Sequence, residues 1–111
     1  MHRQKRIVIT GLGTVNALAK NISGFTKALQ EGVCGIGPLD LFDTKDFRTK
    51  NGGQIKNFVP REYIPKDFSL KRTSRADQLA FAAALEALRD AVLYPLPGQL
   101  KEKVGIAIGG G

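Results

Sequence analysis

Two short apolar segments rich in β-branched residues, Arg6-Ile-Val-Ile-Thr10 and Val104-Gly-Ile-Ala-Ile108, lie far apart in this sequence, and each runs directly into glycines. Gly11 and Gly13 follow the first and Gly109 to Gly111 the second. An apolar run bounded by turn residues reads as a strand buried on both faces, and such strands belong to parallel sheets covered by helices. The pattern predicts strands over 5–10 and 104–108 joined by a right-handed crossover. Each needs neighbours on both sides, so the sequence reads as the first part of a larger α/β protein whose chemistry comes later.

The intervening sequence supplies helices. Ile22, Phe25, Ala28 and Leu29 recur at helical spacing between Asn21 and Glu31, with Asn21 placed to cap the first turn and Gly32 to stop the last. A longer helix is expected from Ser74 to about Leu93. Ser74 with Asp77 three positions on approximates a capping box, although Glu or Gln is the usual partner. Alanines at 76, 80, 82, 83, 84, 87 and 91, interleaved with Leu79, Phe81, Leu85 and Leu88, predict a buried helix on which only Glu86, Arg89 and Asp90 face water. The Pro95–Gly98 turn then ends it. Between Val33 and Phe68 the pattern loosens around Gly35, Gly37, Pro38, Gly52, Gly53, Pro60 and Pro65, an excursion long enough to suggest function or an interface.

Composition narrows the function classes. The 111 residues carry 17 Lys and Arg against 10 Asp and Glu, a formal net charge of +7, which favours an acidic partner. The cations are dispersed, aromatic residues make up 7% and Trp is absent, which argues against nucleic acid as that partner. A single cysteine, Cys34, excludes an intrachain disulfide and a Cys-only metal site and fits a reducing compartment. The basic start MHRQKR leads into an apolar run broken by Thr10, Gly11 and Gly13, too short for a signal core or a membrane span, so the expectation is a cytoplasmic protein with no membrane contact.

Four motifs carry possible chemistry. Gly11-Leu-Gly13-Thr-Val-Asn16 follows a strand as a dinucleotide fingerprint does, but Asn16 replaces the third glycine and the next helix starts late, so a glycine-permitted turn is the better reading. Cys34 sits in a Val-Cys-Gly-Ile-Gly loop after a helix, not at a helix N-terminus, and is expected to be a small buried residue. Gly109–Gly111 reads either as an anion-binding backbone nest or as a strand-ending turn. Lys71 and Arg72, just ahead of the Ser74 helix, read either as a docking patch for an acidic protein or as solvated surface. With His2 near the start and Cys34 unpaired, no catalytic, cofactor-binding or metal-binding residue is expected within these residues.

Taken in order, these segments resemble the N-terminal region of the β-ketoacyl-acyl carrier protein synthases, condensing enzymes of the thiolase-like superfamily. The resemblance is carried by Arg6-Ile-Val-Ile-Thr-Gly-Leu-Gly13, Ala28-Leu-Gln-Glu-Gly-Val-Cys-Gly-Ile-Gly-Pro38, Phe42-Asp43 with Asp46-Phe47, Gly53-Gln-Ile-Lys-Asn-Phe58, Arg75-Ala-Asp-Gln78 with its alanine-rich helix, and Val104-Gly-Ile-Ala-Ile-Gly109. It implies that residues 1–111 are the N-terminal part of a β-ketoacyl synthase domain in a five-layered α/β/α/β/α fold, usually a homodimer. It also implies an enzyme that condenses acyl groups with a malonyl-carrier protein in fatty acid or polyketide synthesis. The family's nucleophilic cysteine and its two histidines come later, so Cys34 inherits no catalytic role and this chain alone is expected to be inactive. Lys71 and Arg72 match basic positions associated with docking of the acidic acyl carrier protein. Ala76 departs from the bulky aromatic many members carry there. The rival expectation is a non-catalytic interaction protein or decayed paralogue that keeps a carrier- or partner-binding surface.

Overall fold

In the computed structural model, which describes residues 3–110, the elements run α1 (Ile22–Gln30), β1 (Ile36–Pro38), β2 (Asn51–Gly53), α2 (Pro60–Tyr63), α3 (Arg75–Asp90) and a closing 3-10 segment (Gly98–Lys103). Asn21 caps α1 as expected, its side chain accepting the Gly24 N–H at 2.7 Å. The helix ends in a Schellman closure: Gly32 takes φ 67°, its N–H donates to the Leu29 carbonyl, and the Val33 N–H reaches back to the Ala28 carbonyl.

The centre of the structure is a close approach between residues 11–14 and α3. A Cβ placed on Gly13 would stand 1.9 Å from the Ala83 carbonyl oxygen, and one on Gly11 2.2 Å from that of Ala87. Neither glycine has a positive φ, so both are needed for proximity and not for a turn. The helix contributes its own small side chains at Ala83, Ala87 and Ala91, one turn apart along the face that meets the glycines.

This proximity lets two carboxylates of α3 reach main-chain donors. The Leu12 N–H donates to Asp90 Oδ2 at 3.0 Å, and the Thr14 N–H donates to Glu86 Oε2 at 2.9 Å. The other oxygen of Glu86 accepts the Ile22 N–H at 2.7 Å. Ile22 opens α1 and has no intrahelical acceptor for that N–H, so one carboxylate completes the first turn of α1 and holds the 11–14 segment. The expectation that Glu86 and Asp90 face only water is therefore corrected. Arg89 does point outward, its guanidinium 5.2 Å from the centre of the Tyr94 ring.

The buried apolar residues are few: Ala28, Phe58, Ile64, Ala82 and Leu85. Phe58 stacks on Tyr63 with centroids 5.2 Å apart, and Phe68 meets Phe81 at 4.7 Å, which fastens the α2 region to α3. Within α3 only Ala82 and Leu85 are buried, so the helix is less enclosed than its alanine content implies. Strands β1 and β2 form an antiparallel hairpin with Ile36 opposite Gly53 and Pro38 opposite Asn51. Gln54 braces the hairpin's connecting loop, accepting the N–H groups of Asp40 and Leu41 at 2.9 Å each.

The parallel pairing expected of 5–10 and 104–108 does not form among the described residues. Both segments are irregular and exposed, with Ile7 at 96% and Ile108 at 88% of full exposure. A strand buried on both faces requires hydrogen-bonding neighbours and covering helices, and neither segment meets a strand here. Consequently the radius of gyration is 17.6 Å, against about 13 Å for a compact chain of 100 residues.

α3 closes as α1 does, with the Val92 N–H donating to the Arg89 carbonyl and the Leu93 N–H to that of Leu88. The residue in the left-handed position, however, is a valine, with φ 59°. A β-branched residue is strained there, and Val92 is 85% exposed and gains little from packing. Val92→Gly is expected to stabilise the chain by about 0.5–1 kcal/mol, the left-handed strain removed less the entropy glycine adds to the unfolded state. A thermal midpoint raised by a few degrees in circular dichroism checks this, and an unchanged or lowered one counts against it.

Candidate functional site

Two exposed cations stand just ahead of α3. Lys71 and Arg72 are the central residues of a turn closed by the Thr73 N–H, 3.3 Å from the Leu70 carbonyl oxygen, and by the Thr73 hydroxyl, which donates to the same oxygen at 2.9 Å. Both are exposed, and among the described residues neither has an ion-pair or hydrogen-bond partner. Arg75 is different, because its guanidinium donates to the Ile55 carbonyl at 2.6 Å and so serves the fold. The turn thus presents two free cations on a short loop fixed at both ends.

The helix cap holds the far end of that loop. The Ser74 hydroxyl accepts the Asp77 N–H at 3.1 Å, while Asp77 Oδ2 accepts both the Ser74 N–H and the Ser74 hydroxyl at 2.8 Å. Aspartate therefore completes the capping box in place of the usual Glu or Gln. The backbone N–H of Ser74, followed by its hydroxyl, holds the Asp77 carboxyl below its ordinary range. Ala76 is exposed on the first turn of the same helix, so the small residue leaves no hole in the interior.

Cys34 is exposed rather than buried, a correction that follows from its position between the α1 closure and β1, the hairpin strand, where no layer covers it. Its thiol donates weakly to the Ile36 carbonyl, with Sγ and O 3.7 Å apart. It lies at the edge of a cavity of about 380 Å³ whose wall includes Asn16, Lys20 and Gln54. No cluster of metal-ligating side chains occurs among the described residues. His2 and Gly111 lie outside the described residues, and Gly109 and Gly110 stand in open space.

The Gly11–Asn16 motif is a segment laid against α3 that turns only at its end, at Asn16. Asn16 Oδ1 accepts the N–H groups of Leu18 and Ala19 at 2.9 and 3.1 Å, and α1 begins only at Ile22. No helix N-terminus therefore meets the glycines as a pyrophosphate site requires. Glu86 is the residue whose role sequence reasoning missed. The available signal was the pair of acids Glu86 and Asp90, one turn apart on an alanine-rich face.

Comparison with known proteins decides what this arrangement belongs to. The family model described as the N-terminal domain of β-ketoacyl synthase matches residues 4–111. The chain belongs to the β-ketoacyl synthase family. It is 32% identical over 108 residues to a 3-oxoacyl-[acyl-carrier-protein] synthase 2 of Synechocystis, covering 97% of this chain and 26% of the relative. The mitochondrial 3-oxoacyl-[acyl-carrier-protein] synthase of Arabidopsis thaliana is 36% identical, with 99% of this chain and 27% of the relative covered. The solved ishigamide ketosynthase/chain length factor superposes with a TM-score of 0.70 at 32% identity, over 78% of this chain and 21% of its own. The chain thus has the fold of the corresponding part of a ketosynthase and spans about a quarter of the length of the curated relatives it matches. No helix among the described residues is long and apolar enough to cross a membrane.

The capping box makes this β-ketoacyl synthase segment sensitive to acid at one end of α3. The folded-state pKa of Asp77 is depressed, so its contribution is present above the ordinary value of 3.8 and is lost as pH falls through the lower folded value. Asp40, lowered chiefly by its hydrogen bond from Lys56, loses its contribution in the same direction, but in the hairpin loop. The helical signal of α3 is expected to hold as pH falls to about 4 and to weaken below it. Asp77→Asn should flatten that acid limb. An acid limb of the same size in Asp77→Asn would assign it to other carboxylates.

Proposed function

We propose that this chain forms the N-terminal part of a 3-oxoacyl-acyl carrier protein synthase, which condenses an acyl group with a malonyl-carrier protein in fatty acid or polyketide synthesis. The observation that supports it most is the match to the β-ketoacyl synthase N-terminal domain over residues 4–111, joined to relatives whose names specify that synthase. The five-layered arrangement, the homodimer and the cytoplasmic location implied by the family belong to the same proposal.

Within this reading the described residues scaffold and dock; they do not react. Acyl transfer needs a nucleophile within hydrogen-bond reach of a base that activates it. Cys34, the single cysteine, bonds only a carbonyl oxygen. Lys71 and Arg72 supply the recognition step: two free cations on a fixed loop attract an acidic carrier protein, raising the encounter rate more than the final affinity.

Two measurements test this. Acyl transfer from acyl-CoA or acyl-carrier protein should be absent from the purified chain and unaltered by Cys34→Ala; turnover that disappears in Cys34→Ala would overturn the scaffold reading. Binding of an acyl carrier protein should weaken by about tenfold when Lys71→Glu and Arg72→Glu are combined. It should also weaken with added salt, whose screening length is about 10 Å at 0.1 M. An affinity indifferent to both would remove these residues from the docking face.

A further inference from the structure

Directly beside the Lys71-Arg72 turn is a small pocket of about 90 Å³ between the turn and α3. Its apolar wall is Ile64, Phe68, Leu70 and Phe81, with Phe68 still 38% exposed. Of the polar residues at its edge, Thr73, Gln78 and Asp77 have partners within the chain, and Ser69 is exposed. The Thr73 hydroxyl donates to the Leu70 carbonyl, the Gln78 amide donates to the Thr73 hydroxyl at 3.1 Å, and Asp77 is held by Ser74. What the pocket offers a visitor is therefore hydrocarbon.

The turn links that hydrocarbon to the free charge. Leu70 and Thr73, its first and last residues, line the pocket, and Lys71 and Arg72 between them carry the unpaired cations. An occupant thus meets an apolar hole with two positive charges at its edge. The volume equals about three waters at ~30 Å³ each, the scale of one aliphatic side chain and well short of an extended acyl chain. A free fatty acyl group would overfill it, and a purely polar partner would gain nothing from it.

We propose that this pocket takes a single aliphatic side chain from the acidic face of the docking carrier protein, while neighbouring carboxylates of that partner meet Lys71 and Arg72. The inference rests on the carrier-docking reading of those two cations and adds the anchor that fixes the register of the encounter. Exposed charges on long side chains attract without orienting, whereas one buried aliphatic group between them selects a single placement of the partner.

The test measures the affinity of the whole chain for a purified acyl carrier protein at low and at high salt. Ser69→Leu fills the pocket from an exposed position that makes no side-chain hydrogen bond among the described residues. Leu70→Gln makes its wall polar at nearly constant volume. Each is expected to weaken binding about tenfold, the loss of one buried aliphatic group, and by the same factor at both salt concentrations. The effect of Lys71→Glu with Arg72→Glu should instead shrink as salt rises. Wild-type affinity in Ser69→Leu, with the charge reversal still effective, would overturn the pocket and leave the docking face intact. Should Leu70→Gln lose helical circular dichroism, Ser69→Leu alone decides. Binding that is absent, or that ignores the charge reversal as well, would overturn the docking reading and the pocket together.

Discussion

The contact on which the rest of the structure depends is the main chain of Gly11–Thr14 lying against the backbone of α3. Any side chain at Gly11 or Gly13 would push the segment off the helix, since an added Cβ would fall within 2.2 Å of a helix carbonyl oxygen in both cases. Separation would also take the Leu12 and Thr14 N–H groups away from Asp90 and Glu86. Glu86 ties the first residue of α1 through its second oxygen, so the placement of α1 depends on the same contact. With only five apolar residues buried among those described, these charge-assisted hydrogen bonds, stronger than neutral ones, carry a large share of the specificity of the arrangement.

Much of this organisation was legible in the sequence where the deciding signal was local. Asn21 and Gly32 mark the ends of α1 and Ser74 and Asp77 the start of α3, because a cap is chemistry between residues a few positions apart. The C-terminus of α3 was not, since Val92 in a left-handed conformation contradicts the residue preference on which such readings rest. The roles of Gly11 and Gly13 were misread for a related reason: their partners lie 70 or more positions away on α3, and the local sequence suggests only a turn. The 5–10 and 104–108 segments have the composition of buried strands, but pairing is a property of neighbours, and no strand pairs with them among the described residues. Cys34 is exposed for the same kind of reason, since burial too depends on neighbours distant in sequence.

The candidate site shows the same division. Lys71 and Arg72 were visible as free cations ahead of a helix, and the turn between Leu70 and Thr73 holds them there. The apolar pocket beside them was not, because it is assembled from three stretches: Ile64, the Phe68–Thr73 loop and the Phe81 face of α3. α3 is therefore the shared member of the molecule. One end, through Glu86 and Asp90, holds the glycine segment and α1, and the other, through the Ser74–Asp77 cap, holds the loop offered to a partner.

The most direct test of the central contact is hydrogen exchange at single amides in the chain and in Gly13→Ala. The account predicts that the Leu12, Thr14 and Ile22 amides are protected in the parent chain and lose protection together in the variant, while interior α3 amides such as that of Leu85 keep theirs. Protection of Leu12, Thr14 and Ile22 unchanged by Gly13→Ala would contradict it, because the close approach would then not be what holds the glycine segment and α1 to the helix.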